Sequence, residues 1–428
     1  MLTPDAFDQG PVRLTNLTVP GCLMGSPDLT VTTALTIDGA HLSDAPPARS
    51  IDMQGAMAFP AFTDMHTHLD KGHIWPRRPN PDGTFPGALD SVAQDRTAHW
   101  SAEDVRTRAD FSLRCAYAHG TRAIRTHLDS IPPQDEISWP VFRDLREAWA
   151  GRIELQAVNL VSADDIPTGP GDTAHPFHRT ADIVADSRGV LGLVTLPLPD
   201  MGARLRTFFH MAETRGLSTD FHVDETGDAT VATLRLIAET VLDLGLTTSV
   251  VVGHCCSLAV QPEAEALHTL DLVARAGLHV VSLPMCNLYL QDRTPGRTPR
   301  WRGVTLVHEM KARGIPVSFA SDNTRDPFYA FGDMDMLEVM REATRIAHLD
   351  HSEPDWTHAF TTTPAAACGF PPAGLAPGDP ADLVLCRARS FNELLARPQA
   401  DRIVLRNGRP IDRTLPDYAE LDPLMRTP

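Results

Sequence analysis

The sequence predicts an α/β protein: a (β/α)8 barrel of the TIM type joined to a small β-sandwich domain that both ends of the chain build. Apolar runs alternate with amphipathic helical stretches through the middle of the chain, and short β segments lie on either side. The 428 residues leave room for a barrel of roughly 250 residues and a second small domain. We therefore expect the barrel over residues 57–374 and the small domain over 1–56 plus 375–428.

The two ends of the chain are rich in short β segments. The first 56 residues hold several such segments separated by turn residues. Near the other end, residues 381–386 and 402–405 are predicted strands, and Asn407-Gly408 is typical of a hairpin turn. Because these two regions flank one long middle part, we expect them to assemble into one domain.

The middle of the chain alternates apolar strands with helices, a pattern typical of a parallel sheet. We expect strands near 57–66, 121–128, 153–160, 190–196, 217–223, 248–254, 278–284 and 315–321. We expect helices near 102–118, 138–149, 176–187, 204–215, 229–244, 261–276, 304–313 and 333–348. A doubly wound open sheet is the alternative, and the absence of a Gly-x-Gly-x-x-Gly turn disfavours it only modestly.

The helix predicted over 229–244 has a clear period. Leu234, Ile237, Val241 and Leu244 fall on or near one face, as in an amphipathic helix that packs against a core. Asp228 stands just before the stretch, where it is a suitable N-cap.

The composition excludes several classes of protein. A net charge of −17 and an isoelectric point near 5.4 disfavour a nucleic-acid partner. No apolar run approaches the roughly 18 residues of a membrane helix, and the first residues lack the pattern of a signal peptide. Seven scattered cysteines do not suggest a disulfide framework, so we expect a cytoplasmic protein with reduced thiols.

The candidate chemistry begins at the end of the first barrel strand. His66 and His68 are two residues apart, so in a strand their side chains point to the same side. Two imidazoles that converge on one point suit a divalent metal ion. Taken alone, the pair is equally consistent with two surface histidines.

Three later strands also end in candidate ligands. His222, His254 and Asp322 each close an apolar run, and Glu225 follows His222 by three residues. In a barrel, the carboxyl ends of all strands face one mouth, so residues far apart in sequence converge there. The order of these residues along the strands indicates one metal-binding group.

These motifs resemble those of the amidohydrolase superfamily and, more narrowly, of its cytosine deaminase branch. The matching segments are His66-Thr67-His68-Leu69-Asp70, Arg125-Thr126-His127-Leu128-Asp129, His222-Val223-Asp224-Glu225, Gly253-His254-Cys255, Asn287-Leu288-Tyr289-Leu290-Gln291, Arg302-Gly303-Val304-Thr305 and Asp326-Pro327-Phe328-Tyr329. The likeness runs from about residue 30 to residue 410. Members of the superfamily are metal-dependent barrels with a small β-sandwich domain, and many form oligomers, so a homo-oligomer is the expectation.

The resemblance also implies roles for the candidate residues. One divalent ion, Zn²⁺ or Fe²⁺, is expected on His66, His68, His222 and Asp322. By the same resemblance, a metal-bound water loses a proton, and the resulting hydroxide attacks the ring carbon. His254 and Asp322 are expected to help deprotonate and orient that water. Glu225 is the expected general acid/base, which carries a proton to a ring nitrogen and then to the leaving amine. Because residues 190–200 contain no lysine, a single metal is favoured over two.

The pocket departs from that of cytosine deaminases. Ser162 stands where they place a glutamine that reads the pyrimidine, Asn323 replaces a second acidic residue, and Phe328 replaces a tryptophan. The full set of expected substrate contacts is Lys71, His127, Ser162, Gln291, Asn323 and Phe328. Because buried hydrogen-bonding groups discriminate strongly between related substrates, these changes leave the identity of the ring open.

The predicted function is therefore hydrolytic removal of an amino group from a nitrogen heterocycle. The alternative on the same scaffold is a hydrolase of N-substituted amino-triazines, or of a cyclic or linear amide. A metal-free binding protein of this fold is the non-enzyme alternative, and the retained ligands and Glu225 disfavour it. The stretch 72–100 is long for a loop and is a candidate lid over the mouth.

Overall fold

The computed structural model describes residues 10–425 of the chain. Its strands are, in chain order, β1 (Val12–Pro20), β2 (Thr30–Asp38), β3 (His41–Leu42), β4 (Arg49–Asp52), β5 (Met57–Pro60), β6 (Phe62–Thr67), β7 (Thr121–Asp129), β8 (Glu154–Leu160), β9 (Leu191–Val194), β10 (Thr219–Val223), β11 (Val250–His254), β12 (His279–Ser282), β13 (Val317–Phe319), β14 (Leu383–Cys386), β15 (Ile403–Arg406) and β16 (Arg409–Pro410). Its α-helices are α1 (Phe85–His99), α2 (Ala102–His119), α3 (Asp135–Ala148), α4 (Phe177–Asp186), α5 (Met201–Glu213), α6 (Thr233–Leu244), α7 (Glu263–Ala276), α8 (Pro284–Leu290), α9 (Val307–Lys311), α10 (Met336–Ala347), α11 (Thr362–Cys368), α12 (Phe391–Ala396) and α13 (Asp422–Met425).

Strands from both ends of the chain form one eight-stranded sheet. Its order is β16-β15-β14-β5-β1-β2-β3, and β4 also pairs with β1. The antiparallel pair β14 and β5 joins the C-terminal strands to the N-terminal ones. A separate apolar cluster packs against this sheet and includes Leu14, Leu17, Leu383 and Leu405. The two ends of the chain therefore share one sheet and one apolar cluster.

The strands β6 to β13 are parallel and follow one another in chain order. Continuous ladders join β6 to β8 and β9 to β13. Isolated parallel bridges join β8 to β9, and a bridge between Thr67 and Asp322 joins the end of β6 to the residues after β13. At this last seam, the Asp64 carboxylate accepts hydrogen bonds from the backbone N–H and the hydroxyl of Ser321, at 3.0 and 2.5 Å. The predicted fold class is confirmed.

The run 57–66, predicted as one strand, is two strands with different partners. β5 lies in the terminal sheet, opposite β14, whereas β6 is the first barrel strand. Ala61 separates them, and its N–H donates to the carbonyl of Asp382 at 2.8 Å. Residues 56–67 are all buried, and the apolar run that begins at Ala56 continues through Phe62, past the break, so the sequence gives no sign of it.

The start of α6 differs from the prediction. The helix begins at Thr233, and Asp228 instead accepts hydrogen bonds from Thr230 in an exposed turn. The Asp224 carboxylate takes over the capping role, since it accepts from the N–H groups of Thr233 and Leu234 at 3.0 and 3.1 Å. The predicted N-cap was wrong because a distant acceptor satisfies the first N–H groups of the helix.

The stretch 72–100 is partly helical, because α1 occupies its second half. Thr84 caps this helix by accepting from the N–H of Gly87 at 3.1 Å. The first half of the stretch is tied down by Arg77, which forms ion pairs with Asp95 and Asp104. Across residues 10–425, the structure contains no helix with the length and apolar character that spanning a membrane requires.

Candidate metal centre and active site

Four side-chain atoms converge at the C-terminal mouth of the barrel. The Nε2 atom of His222 lies 3.1 Å from that of His66 and 3.4 Å from that of His68. The Oδ1 atom of Asp322 lies 3.2 Å from His68 Nε2 and 3.7 Å from His66 Nε2. Bonds of about 2.0–2.2 Å to a shared ion place neighbouring ligand atoms roughly 3–3.5 Å apart. Three of these four distances lie in that range, so the four side chains form a candidate site for one divalent cation, and ligand atoms of His127 and His254 lie close to the same donors.

Each donor reaches this point from the end of its own strand. His66 lies in β6 with His68 directly after it, His222 lies in β10, and Asp322 follows β13. The backbone of Asp322 has a φ of 64°, and that of His254, the last residue of β11, has a φ of 68°. Non-glycine residues adopt this left-handed region at a cost, which is ordinarily accepted where function demands it.

The charges of the donor set suit a cation. Burial raises the pKa of Asp322 to about 7, and in the described part of the chain neither carboxylate oxygen has a hydrogen-bond partner. A buried carboxylate without a partner is costly, and a bound cation removes that cost. Burial also lowers the pKa of His66, His68 and His222 well below the usual range. Neutral imidazoles result, with lone pairs free for a metal.

Glu225 and His254 lie beside the donor set and share one partner. The amide nitrogen of Asn287 donates to Glu225 Oε1 at 3.0 Å and lies 3.0 Å from His254 Nδ1. Burial, together with the charge of Asp322, raises the pKa of Glu225 well above its usual value. The side chain of Gln291 donates to the Glu225 carbonyl at 3.2 Å. Burial and the charge of Asp322 thus favour the protonated form of a carboxyl beside the candidate metal centre.

The sequence analysis assigned no role to Asn287, although a signal was present. Asn287 and Gln291 are four residues apart on α8, so their side chains share a helical face. Both contact Glu225. Two amide side chains at this spacing after a barrel strand indicate a support for a catalytic group.

A cavity of about 600 Å³ opens above these groups. Most of its wall is apolar, and Phe85 and Phe328 meet edge to face there with ring centroids 5.4 Å apart. Residues of α1 form one side of the wall, so the stretch 72–100 does border the mouth. Apolar walls with a few placed polar groups are typical of small-molecule sites.

One charged group interrupts the apolar wall. Lys71 Nζ donates to Asp129 Oδ1 at 2.8 Å, and Arg96 Nη1 donates to Asp129 Oδ2 at 2.8 Å. Burial works against the charge of Lys71, but Asp129 and Asp70 raise the pKa of its ammonium above the usual value. Two cations therefore share the Asp129 carboxylate, with Asp70 as a second carboxylate near Lys71. Sequence reasoning missed Asp129 and Arg96, although Asp129 follows His127 at the spacing of one strand face.

The structure places five of the six predicted substrate contacts in the cavity wall. These are Lys71, Ser162, Gln291, Asn323 and Phe328. The sixth, His127, does not line the cavity. Its ring is buried beside the donor set, 4.0 Å from that of His66 between centroids. Thr126 pairs with Thr67 across β7 and β6, so His127 lies level with the donors along the strands.

Comparisons with known proteins agree with this geometry. The model of the amidohydrolase family matches residues 101–412. A pterin deaminase from Rhizobium rhizogenes is 58 % identical over 372 residues, which cover 87 % of this chain and 84 % of that protein.

Two solved structures share the fold. The 5-methylcytosine deaminase from Klebsiella pneumoniae, liganded with 5-fluorocytosine, superposes with a TM-score of 0.78 at 23 % identity and covers 95 % of this chain and 98 % of its own. The N-isopropylammelide isopropylaminohydrolase from Burkholderia multivorans superposes with a TM-score of 0.73 at 25 % identity, and the match covers 94 % of this chain and 98 % of that protein.

Proposed function

Because the chain belongs to the amidohydrolase family, we propose that it deaminates a fused two-ring aminoheterocycle, with pterin as the first candidate. The proposal rests on the protonated Glu225 carboxyl, which lies beside a metal-binding donor set at the base of an apolar cavity. The choice of pterin comes from the Rhizobium rhizogenes relative. The size of the cavity supports a ligand larger than a single pyrimidine ring.

The reaction adds water to the carbon that bears the amino group. A new carbon–oxygen bond forms, and the bond to the exocyclic amine breaks. One proton of the water stays on a ring nitrogen of the product, and the other leaves with the amine as ammonia. One divalent ion, Zn²⁺ or Fe²⁺, on His66, His68, His222 and Asp322 would supply Lewis-acid activation of the water.

The protein side chains move and hold the protons. Glu225 donates its proton to the ring nitrogen next to the reacting carbon, which makes that carbon a better electrophile. Asn287 donates to His254 Nδ1, so the proton of this imidazole lies on Nε2, which has no hydrogen-bond partner in the described chain. His254 therefore donates to the incoming oxygen and orients it. The free oxygen of Asp322 accepts a proton from the attacking water.

The cavity wall orients the ring. Lys71 uses one of its three N–H donors on Asp129 and presents the others to the cavity. We assign it to the oxo group of the substrate, because an ammonium group donates hydrogen bonds and favours an electron-rich edge. The flat faces of the substrate pack near Phe85 and Phe328.

Ammonia release tests the proposed function. Protein loaded separately with Zn²⁺ and Fe²⁺ is incubated with pterin, cytosine and N-isopropylammelide, and ammonia and isopropylamine are measured. We expect ammonia from pterin at a kcat/KM far above that for cytosine. Isopropylamine from N-isopropylammelide, with no ammonia from pterin, would contradict the proposal and favour hydrolysis of N-alkylamines.

A further inference from the structure

His127 lies beside the donor set, and the proposed reaction does not use it. Its side chain is 0 % exposed. Its ring centroid is 4.0 Å from that of His66, with the planes 37° apart, and 4.7 Å from that of His222, with the planes 89° apart. It therefore packs obliquely over one proposed ligand and edge-on against another.

Two of the proposed ligands lack the support that such histidines ordinarily have. A metal-ligating histidine almost always donates its second ring N–H to a carboxylate, a carbonyl or a water, and this bond fixes the ring plane. The His68 ring hydrogen-bonds to the backbone of His127. Within residues 10–425, the Nδ1 atoms of His66 and His222 are buried without any hydrogen-bond partner, so packing contributes to fixing the planes of these two rings.

A buried charge pair holds His127 in place. Its Nε2 atom lies 3.4 Å from Asp220 Oδ1, and Asp220 Oδ2 accepts from Arg125 Nη1 at 2.8 Å. Arg125 in turn donates to Gln156 Oε1 at 2.7 Å. These side chains come from the adjacent strands β7 and β8 and from β10, and Asp220 and Arg125 are at most 1 % exposed. The pair is thus anchored in the barrel interior.

We propose that His127 is a positioning residue, whose ring sets the planes of His66 and His222 by packing and so raises the affinity of the metal centre. The ring itself, more than its nitrogen atoms, produces this effect. The inference rests on the proposed metal-binding role of His66 and His222, and it extends that role to a residue that contacts neither cavity nor substrate.

Two substitutions separate the ring from its nitrogen atoms. His127→Phe keeps a planar ring and loses both nitrogen atoms, whereas His127→Asn keeps a polar group and loses the ring. The dissociation constant of Zn²⁺ is measured by competition with a chromogenic chelator, and Co²⁺-loaded protein is compared by its visible absorption spectrum. We expect His127→Asn to weaken Zn²⁺ binding about 10- to 100-fold, and His127→Phe to change it by less than about threefold with an unaltered spectrum.

A second buried histidine provides the control. His279 bonds Ser318 Oγ at 3.0 Å in the barrel interior, so His279→Asn is expected to leave the affinity for Zn²⁺ unchanged. If His127→Asn does not fold, His127→Leu, which is apolar but not planar, replaces it with the same expected loss.

Two results would overturn the proposal. If His127→Phe loses Zn²⁺ as completely as His127→Asn, a nitrogen atom of His127 is itself a ligand. If both variants bind Zn²⁺ normally and only melt at a lower temperature, the ring has a purely structural role. Neither measurement uses a substrate, so a failure of the proposed deaminase activity remains distinguishable from a failure of this inference.

Discussion

At the scale of single residues, the catalytic assignment depends most on Glu225. Its carboxyl is buried and its pKa is raised, and Asn287 holds one of its oxygens at 3.0 Å. Replacing Glu225 with Gln keeps the shape of the side chain and removes its ionisable proton. We expect Glu225→Gln to lower kcat by about 10²- to 10⁴-fold, the usual range for loss of a general acid or base. Steady-state ammonia release measures the effect.

The metal content of Glu225→Gln is its control. Because Glu225 is outside the proposed ligand set, atomic absorption should find the same metal content as in the unmodified protein. The rate of the unmodified protein should also fall as the pH rises through the raised pKa of Glu225, because the donor proton is then lost. An unchanged kcat in the Gln variant would remove Glu225 from its assigned role.

Lys71 supports a second prediction at this scale. The chain has two lysines, and Lys71 is the buried one in the cavity wall, whereas Lys311 pairs with Asp355 at the surface. We expect Lys71→Met to lower kcat/KM for pterin roughly 10- to 100-fold, since a hydrogen bond to a charged group contributes about 1.5–3 kcal/mol. The same kinetics on Lys311→Met should show no change.

A related compound tests the orientation that Lys71 implies. In 2,4-diaminopteridine, an amino group replaces the oxo group, so the unmodified protein should use it poorly. Lys71→Met should narrow the difference in kcat/KM between pterin and 2,4-diaminopteridine. If Lys71→Met lowers the rates of both compounds by the same factor, Lys71 does not recognise the oxo edge.

The sequence predicted the donor residues better than their surroundings. The positions of His66, His222 and Asp322 follow from strand ends and the single mouth of a barrel, which are properties of local sequence. The link from Asn287 to Glu225 joins residues 62 positions apart, and only the tertiary fold shows it. His127 packs against the rings of His66 and His222 and not into the cavity, a contact that also depends on the tertiary fold.

At the scale of elements, the seam between β6 and β13 contains a buried acid. Burial raises the pKa of Asp64 to about 6, although hydrogen bonds from Ser321 act in the opposite direction. When the pKa of a carboxyl is higher in the folded protein than in the unfolded chain, the carboxyl stabilises the fold at low pH. This contribution is complete below the unfolded pKa and is lost as the pH rises through the folded pKa. For Asp64, the loss takes place between about pH 4 and pH 6.

We therefore expect Asp64→Asn to remove part of the pH dependence of stability. The shift corresponds to about 3 kcal/mol of unfolding free energy lost by the unmodified protein between pH 4 and pH 7. Urea denaturation at both pH values, with chelator present throughout, measures this difference in the two proteins. Asp271→Asn, an exposed carboxyl on α7, is the control. Parallel pH profiles for all three proteins would contradict the assignment.

The sequence predicted the helices and strands of the barrel more reliably than their connections. Three of the four residues on the predicted face of α6 are buried, since Leu234, Ile237 and Val241 are at most 3 % exposed, whereas Leu244 at the end of the helix is 39 % exposed. Its N-terminus was missed because the capping carboxylate belongs to the loop after β10. The break between β5 and β6 was missed because both strands are buried, one in each sheet.

At the scale of the whole molecule, the candidate metal centre lies between the two ladders of the barrel, β6 to β8 and β9 to β13, which share fewer backbone hydrogen bonds with each other than the strands within each ladder do. The proposed ligands come from β6, β10 and the end of β13. Within residues 10–425 no continuous ladder connects the two sets of strands that carry them, which isolated bridges and side-chain contacts such as Asp64–Ser321 join. A bound ion would tie β6 to strands of the other ladder. Metal binding and stability of the barrel should therefore be coupled.

We expect removal of the metal to lower the thermal stability of the whole chain. A ligand at 100 times its dissociation constant stabilises a fold by about 2.7 kcal/mol, so dialysis against dipicolinate should lower the Tm by several degrees. Chelation is preferable to metal addition, because the seven free thiols can also bind added Zn²⁺. His222→Asn, which lacks one proposed ligand, should melt at the same temperature with and without chelator. If the chelator lowers the Tm of both proteins equally, the stabilising ion binds elsewhere. If it lowers only the Tm of the unmodified protein, His222 contributes to the ion site that stabilises the barrel.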